Sequence, residues 1–369
     1  KMAPEQVYDI EIEGTHNFLG NDIVAHNTAI FNSTGLGLGT LSPSYKLDVA
    51  GFINTDQFSG YKQAGNTILS ASTTKTSTIG GIGAGTNYQT LAGAIQSTAF
   101  GYQALGSASL TAAADYNDAF GYQALTANTT GTQNSAFGRL SLGANTTGNN
   151  NTAVGPAAMA NNITGSNNTA IGQAALYTAT STDGVVAIGD SALYNLISSS
   201  VSRFNTAVGS FALQDNTYGG NNTAIGYLAA GDNTTGSSNT AIGQIAYRLG
   251  TTGTDNTAIG NQAMSTGIVT GSYNAVLGSR ALEANTSGAQ NVALGRLALS
   301  ANTTGSDNVA IGHLAIQTAT SSSNHVAIGT NALNVMITAG TNDTEGNTAL
   351  GYLAGTAVTS GGANILLGY

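Results

Sequence analysis

The stretch NNTAIGYLAAGDNTTGSSNTAIG, residues 221–243, contains one full repeat of the pattern that decides the fold of this 369-residue chain. Its glycine recurs after 17 residues, and we call that residue the anchor glycine. Positions in each coil are numbered from it, so that position −1 precedes it. A fixed period this short predicts stacked coils that contact only their neighbours. The anchor glycines are Gly101, Gly121, Gly138, Gly155, Gly172, Gly189, Gly209, Gly226, Gly243, Gly260, Gly278, Gly295, Gly312, Gly329, Gly351 and Gly368.

Twelve of the fifteen intervals between anchor glycines measure 17 or 18 residues, and the others measure 20, 20 and 22. The long intervals end at Gly121, Gly209 and Gly351. We expect loops to protrude there, and these loops are the first place to look for a binding surface. We also expect the long intervals to interrupt any regular lattice on a flat face.

Each repeat carries two apolar sites. Position −1 is large and apolar in all sixteen repeats, position −2 is Ala in fourteen, and position −4 is Asn in most. Side chains alternate along a strand, so Asn, Ala and Gly share one face while Thr and Ile share the other. Because the Ala/Gly face is too small to fill space, we predict that the Ile face fills the core. An Ala-Leu pair at positions +3 and +4 supplies the second site.

The N-T-T-G element, as in Asn128 to Gly131, has the composition of a turn, in which Asn bonds its own backbone and Gly takes positive φ. Recurrent Gly and short apolar runs argue against helices. We therefore predict an all-β chain, a parallel β-roll or β-solenoid of about 16 coils of ~17 residues, with two short strands per coil. At a strand spacing of ~4.8 Å it spans roughly 75 Å. So thin a core leaves apolar surface exposed unless other chains cover it, which predicts association with other chains.

Composition excludes several classes of function. Charged residues make up 7% of the chain, the net charge is −9, and no lysine follows Lys75. No basic patch can therefore neutralise a phosphate backbone, which excludes nucleic acid as a partner. The sequence has no run of 18 apolar residues, so we expect no membrane insertion in this segment. The absence of cysteine is compatible with an extracellular chain that avoids stray thiol chemistry.

The tandem Asn-Thr-Ala-Ile-Gly pattern at residues 222–226, 239–243 and 256–260 resembles the head repeats of trimeric autotransporter adhesins and related phage tail-fibre-like repeats. The resemblance covers about residues 97–369. It implies a homotrimeric β-roll that serves as a non-enzymatic structural or adhesive fibre. Such a fibre is extracellular, on a cell surface or on a virion. The sequence does not identify its surface receptor or glycan.

A second resemblance lies at the start of the chain. VYDIEIEGTHNFLGNDIVAHN, residues 7–27, resembles the C-terminal blocks of inteins and related Hint self-processing domains. The nucleophile that opens such a domain would lie upstream of Lys1, so we expect the chain to be a piece of a longer precursor. The two resemblances predict a Hint fragment with short strands at 1–27, a connector with short strands at 28–96 and the repeat β-roll at 97–369.

The Hint resemblance implies catalytic roles for five residues, which act only with a complementing N-terminal half. The Asn27 side-chain amide attacks its own carbonyl and cleaves the 27–28 bond, with His26 polarising that carbonyl. His16 acts as a general acid or base, Asp9 orients the reacting groups, and Thr28 is the hydroxyl acceptor. One alternative function is therefore self-processing that releases or ligates the fibre. Another is a glycan- or ice-binding solenoid that uses the Thr rows.

No cofactor and no metal site is predicted. His313 and His325 occupy different positions in their coils, and the turns lack the recurrent Asp of calcium-binding β-rolls. The Asn rows indicate stacked amides that satisfy the backbone, the alternative being an anion or water column at a trimer axis. A tyrosine row at position +1 suits either carbohydrate binding or interface packing, and the sequence leaves both open. Its members are Tyr102, Tyr122, Tyr227 and Tyr352.

Overall fold

A computed structural model of the chain describes residues 77–85, 96–107, 109, 114–197, 202–336 and 346–368, together with the backbone of six short strands between residues 23 and 71. The chain divides into two compact units, residues 1–59 and residues 60–369. In the first unit the four strands form one sheet, antiparallel from β1 to β3 and parallel between β3 and β4. Their bounds are β1 Ile23–Ala25, β2 Ala29–Phe31, β3 Leu36–Leu38 and β4 Leu47–Val49.

The described part of the second unit contains nineteen strands, and each pairs with the next along the chain. The first three, β5 Tyr61–Gln63, β6 Asn66–Ala71 and β7 Thr78–Gly80, pair antiparallel. From β7 onward every pairing is parallel. The remaining strands are β8 Thr98–Phe100, β9 Asp118–Phe120, β10 Ser135–Phe137, β11 Thr152–Val154, β12 Thr169–Ile171, β13 Val186–Ile188, β14 Thr206–Val208, β15 Thr223–Ile225, β16 Thr240–Ile242, β17 Thr257–Ile259, β18 Ala275–Leu277, β19 Val292–Leu294, β20 Val309–Ile311, β21 Val326–Ile328, β22 Thr348–Leu350 and β23 Ile365–Leu367.

This architecture is a parallel β-solenoid of about 15 turns of ~17 residues, without a helix among the described residues. The predicted all-β solenoid is confirmed, and the sixteen anchor glycines delimit its fifteen turns. The parallel ladder also includes β7, which precedes the predicted repeat region and is followed by Gly81 at φ +115°. The predicted boundaries at 27/28 and 96/97 stay predictions.

The long intervals leave the strand register intact. The strands on either side of the three long intervals still pair in register, with Ala99 opposite Ala119, Ala187 opposite Ala207 and Ala327 opposite Ala349. The expected interruption of the lattice is therefore wrong, because the extra residues lie between strands and not within them. The stretches that contain them are 108–113, 198–201 and 337–345, which apart from Ser109 lie outside the described residues, and so do the loops predicted there.

The core lies on the opposite face of each strand from the one we predicted. Ala224 at position −2 is fully buried, whereas Ile225 at position −1 is 40% exposed. The interior of a 17-residue coil is narrow, and Leu213 at position +4 of its coil already fills it. Only a small side chain fits on the strand opposite that residue. The Ala face is thus the core face, and the Ile face points outward.

The Ala-Leu segment is a turn, so each coil has one strand and not the predicted two. In the coil of Gly209, Phe211 and Leu213 lie at φ 60° and 50°, with Ala212 between them. These left-handed residues curl the chain so that positions +3 and +4 both point inward, as the full burial of Ala212 and Leu213 shows. Left-handed backbone costs roughly 1–2 kcal/mol per non-glycine residue, which the burial of Leu offsets.

Glycine is required at two positions of the coil for different reasons. Gly226 has φ +136°, and a Cβ there would lie 2.5 Å from the carbonyl oxygen of Gly243. Gly131, in the N-T-T-G turn, is not at positive φ as we predicted. Its Cβ would instead collide with the carbonyl oxygen of Gly148 and the side chain of Asn128. The turn glycine is needed because adjacent coils approach closely there.

Candidate functional site

The five residues of the predicted self-processing site lie outside the described residues. They are Asp9, His16, His26, Asn27 and Thr28. The strands on either side of the predicted cleavage point, β1 and β2, pair antiparallel, with Ala25 opposite Ala29. The roles assigned to the five residues therefore stay predictions.

Buried asparagines at position −4 form a ladder through the interior, which Val185 interrupts. The Asn151 backbone N–H and Nδ2 both donate to Asn134 Oδ1, at 3.0 and 3.1 Å, and Nδ2 also donates to the Gly165 carbonyl at 2.8 Å. Asn168 repeats the arrangement on Asn151. Each amide thus satisfies backbone groups of its own coil and the next. The structural interpretation is confirmed, and an anion or water column at an axis between chains is wrong for these residues, because they are buried within one chain.

A second ladder occupies position +7 beside the first, because Asn134 and Asn145 donate to the same Gly148 carbonyl. Asn145 Nδ2 donates to Asn128 Oδ1 at 3.0 Å and to the Gly148 carbonyl at 3.1 Å, and Asn162 continues the series onto Asn145. The predicted bond between the turn Asn and its own backbone is thereby confirmed. This ladder is interrupted where another residue replaces Asn.

Tyr247 replaces one rung of the second ladder. It stands at position +4, where most coils have Leu, and position +7 of its coil is Gly250. The Tyr247 hydroxyl donates to the Gly253 carbonyl at 3.2 Å and accepts from Asn256 Nδ2 at 3.0 Å. A Cβ on Gly250 would collide with the tyrosine ring. The missing rung leaves buried Asn233 Oδ1 without a hydrogen-bond partner.

We predict strong coupling between Tyr247 and Gly250. Tyr247→Leu alone should lower the free energy of unfolding by about 2–4 kcal/mol, because it opens a void. Gly250→Asn alone should lower it at least as much through overpacking. The double variant should be as stable as the parent protein, because Asn at 250 completes the rung and can donate to Asn233 Oδ1. Urea denaturation of all four proteins measures this coupling, and additive losses in the double variant would contradict it.

Stability should also fall in alkaline solution because of Tyr247. Burial raises the pKa of its phenol well above the ordinary value of about 10, although the hydrogen bond from Asn256 acts in the opposite direction. Above pH ~10 the unfolded chain loses this proton while the folded chain keeps it, so the free energy of unfolding decreases as the pH rises further. Urea denaturation on both sides of pH ~10 should show a steeper loss for the parent protein than for the Tyr247→Leu/Gly250→Asn variant. Equal slopes would contradict the role of Tyr247.

The two histidines of the solenoid have separate structural roles. His325 is buried at position −4, where its Nδ1 accepts the Asn347 backbone N–H at 2.9 Å and so takes the place of an amide oxygen. His313 Nε2 contacts Arg296 Nη1 at 3.0 Å on the surface. Within the described residues, no group of three or more His, Cys, Asp or Glu side chains could hold a metal ion.

Charged side chains are sparse and form ion pairs between neighbouring coils. Arg203 lies 3.4 Å from Asp183, and Arg248 lies 3.8 Å from Asp232. Burial raises the pKa of the Asp232 carboxyl, Arg248 counteracts the rise, and Asp215 adds to it. These pairs are partly exposed, so we attribute little stability to them.

An open groove of about 400 Å³ lies along one edge of the coils. Arg280 and Glu283 line one part of it, joined by a 2.8 Å hydrogen bond from Nε to Oε2. The rest is lined by Leu297, Ser300, Ala301, Gln317 and Thr318. The charges of Arg280 and Glu283 neutralise each other, so this pair does not present a free charge to a ligand in the groove.

The outward face of the sheet is a regular surface that runs along the solenoid. The sixteen strands β8–β23 each place two side chains on it, at positions −3 and −1, or 32 in all. Asp118 is the one charged residue among the 32. The row at position −1 consists entirely of Phe, Val, Ile and Leu, with Leu277 49% exposed. We call these 32 positions the outward stripe.

Aromatic rings stack along the N-terminal coils. Phe120 lies between Phe100 and Phe137, with ring centroids 5.6 and 4.9 Å apart. Tyr102 and Tyr122, from the predicted tyrosine row, stack at 5.2 Å and are about half exposed. Stacked rings cover each other's faces, so this pair presents mainly ring edges to a partner.

The Ile face was predicted to fill the core, so the apolar row at position −1 was missed as a candidate surface, although the Thr rows were considered for glycan or ice binding. The available signal was the Ala-Leu pair at positions +3 and +4. One Leu per coil is enough to fill a narrow interior, and the Ala face can close over it.

No described helix is long and apolar enough to cross a membrane. A comparison with protein-family models and a search of curated proteins found no match to this chain.

Proposed function

We propose that the chain is a segment of an extracellular structural or adhesive fibre in which three copies associate through the outward stripe. The observation that carries the proposal is the stripe itself, a nearly uncharged surface with one apolar row that runs the length of the solenoid. At ~4.8 Å per strand this row is roughly 75 Å long. An exposed apolar surface of that extent marks an interaction site.

The repeat of the stripe favours a second copy of this chain as the partner. One apolar side chain follows another at each strand spacing, and a partner must match that spacing over some sixteen coils. An identical solenoid matches it by construction, and closed symmetry lets every copy use the same surface. Three copies are proposed because the repeats resemble those of trimeric adhesins. The long polar solenoid then acts as a spacer that displays its remaining surfaces.

Single cysteines can test which surface faces the other copies, since the chain contains no cysteine. Ile225→Cys lies in the stripe and should form disulfide-linked dimers on mild oxidation. Thr235→Cys, exposed in the N-T-T-G turn of the same coil, is the matched control and should remain uncrosslinked. Equal crosslinking of the two variants would contradict the proposed interface.

We also propose that residues 7–28 process a longer precursor, because their order and spacing match the end of a Hint domain. Asn27 cyclisation would release the fibre segment or permit its ligation through Thr28. The test is mass spectrometry of a precursor that carries a complementing N-terminal half. A new N-terminus at Thr28, absent in Asn27→Ala, supports processing, and an intact 27–28 bond in the parent precursor rejects it.

Ice binding is the competing use of the outward stripe. Thr at position −3 and an apolar residue at position −1 form an in-register array from β14 to β17, which the long intervals do not interrupt. Association of three copies covers this array, so the proposed fibre should show no thermal hysteresis. Measurable hysteresis from the full chain would favour ice binding over the fibre interface.

A further inference from the structure

Position −5 forms a second row along the solenoid, distinct from the outward stripe. Its residues precede position −4, which is a buried Asn in most coils. Backbone bonds join the row from coil to coil, as when Asn150 N–H donates to the Thr132 carbonyl at 3.0 Å. Amide side chains at positive φ occupy seven of its positions, namely Gln96, Gln133, Asn150, Asn167, Asn221, Gln290 and Asn324. Asn tolerates left-handed backbone well, which explains its use there.

Three coils place an aromatic residue in this row. Tyr116, Phe204 and Tyr273 have φ of 58°, 57° and 63°, and they are 53%, 64% and 61% exposed. A bulky residue at left-handed φ is strained, and an exposed ring gains little from burial in return. Since Asn serves at the same position in other coils, folding alone does not explain the three rings.

The Phe204 ring lies over the preceding coil, and because the residue is 64% exposed its outer side stays open to a ligand. In the preceding coil the row holds Gly184, where a Cβ would come within 3.0 Å of the Phe204 ring. Beside them, Arg203 and Asp183 pair with each other at 3.4 Å, so the charges next to the ring are largely neutralised.

The spacing of the rings suits an extended ligand. Tyr116 precedes β9, Phe204 precedes β14, and Tyr273 precedes β18, so the rings are five and four coils apart. At ~4.8 Å per coil these steps are about 24 and 19 Å. The amides Gln133, Asn150 and Asn167 lie on the coils between the first two rings, and Asn221 lies between the second and third.

We propose that this row, the aromatic–amide row, binds a neutral polysaccharide chain that runs along the solenoid. Aromatic faces pack against the apolar faces of sugar rings, and amides both donate to and accept from hydroxyl groups. The row contains no Lys or Arg, and Asp255 and Asp307 belong to it, which disfavours a polyanionic glycan. The inference rests on the adhesive role proposed above and names its ligand class.

Affinity electrophoresis of the full chain tests the proposal, with native gels that contain dextran, mannan, hydroxyethyl cellulose or heparin. The parent protein should be retarded by at least one neutral polysaccharide and not by heparin. The triple variant Tyr116→Asn, Phe204→Asn, Tyr273→Asn should bind at least about tenfold more weakly. Asn already serves at this position, so this variant should fold, and circular dichroism checks it. Tyr352→Asn, which removes a 53% exposed ring from position +1, is the matched control and should bind like the parent protein.

The outcomes separate this inference from the proposed fibre. The inference is overturned, and the fibre kept, if the protein is a trimer and no neutral gel retards it or heparin alone does. Equal retardation of the triple variant and the parent protein has the same consequence. A monomer that still binds through the three rings keeps the inference and overturns the trimeric fibre. Solution mass measured on the same samples distinguishes the two cases.

Discussion

Gly226→Ala lowers the free energy of unfolding by about 3–5 kcal/mol and splits the solenoid at one coil boundary. The φ of +136° is almost exclusive to glycine, and the new Cβ would lie 2.5 Å from the Gly243 carbonyl oxygen. Relief of that contact requires the coils to separate where β15 pairs with β16. Because each coil contacts only its neighbours, one broken interface uncouples the coils on either side.

Gly231→Ala is the matched control in the same coil. Gly231 is not at positive φ, and its Cβ would come no closer than 3.2 Å to a neighbouring atom, the flexible end of Leu228. We expect a change within about 1 kcal/mol for this variant. Thermal unfolding followed by circular dichroism, with limited proteolysis, compares the two proteins. Equal stability of both variants would show that the anchor glycine is not a structural requirement.

Ile225→Glu combined with Ile242→Glu should convert the proposed trimer into folded monomers. Both side chains point away from the core, so a single chain tolerates the charges. In the trimer each carboxylate would be buried without a partner, at a cost of several kcal/mol per site. The loss accumulates over three chains and should abolish association at micromolar concentration.

The matched control for this pair is Thr235→Glu with Thr252→Glu. These residues are exposed in the turns of the same two coils and carry the same added charge away from the stripe. The control should keep the mass of the parent protein, while both variants keep its circular dichroism spectrum. A trimer that survives Glu at 225 and 242 would place the interface elsewhere.

The sequence predicts the period and the strand positions of the solenoid well. The Ala-Ile-Gly triplet places a strand and its bend in every coil, and parallel pairing follows from the fixed period. Which face of each strand points into the core could not be predicted from the alternation of side chains alone. Alternation states that Ala224 and Ile225 point to opposite sides, and only the width of the coil decides which side is inside.

Two local departures from the repeat also could not be interpreted from the sequence. Tyr247 and Gly250 look like two unrelated departures from the repeat until the ring is seen in the space of an Asn rung. The left-handed conformation of Leu213 also contradicts residue preferences, because tertiary packing outweighs local propensity there. For the self-processing segment the sequence remains the only source, since its five predicted residues lie outside the described part of the chain.

The central proposal is that three copies associate through the outward stripe. The mass of the intact chain in solution tests it most directly. Size-exclusion chromatography with multi-angle light scattering should give three times 36.8 kDa, about 110 kDa, at micromolar concentration. A single species of 36.8 kDa across the accessible concentration range would contradict the proposed association of three copies through the stripe.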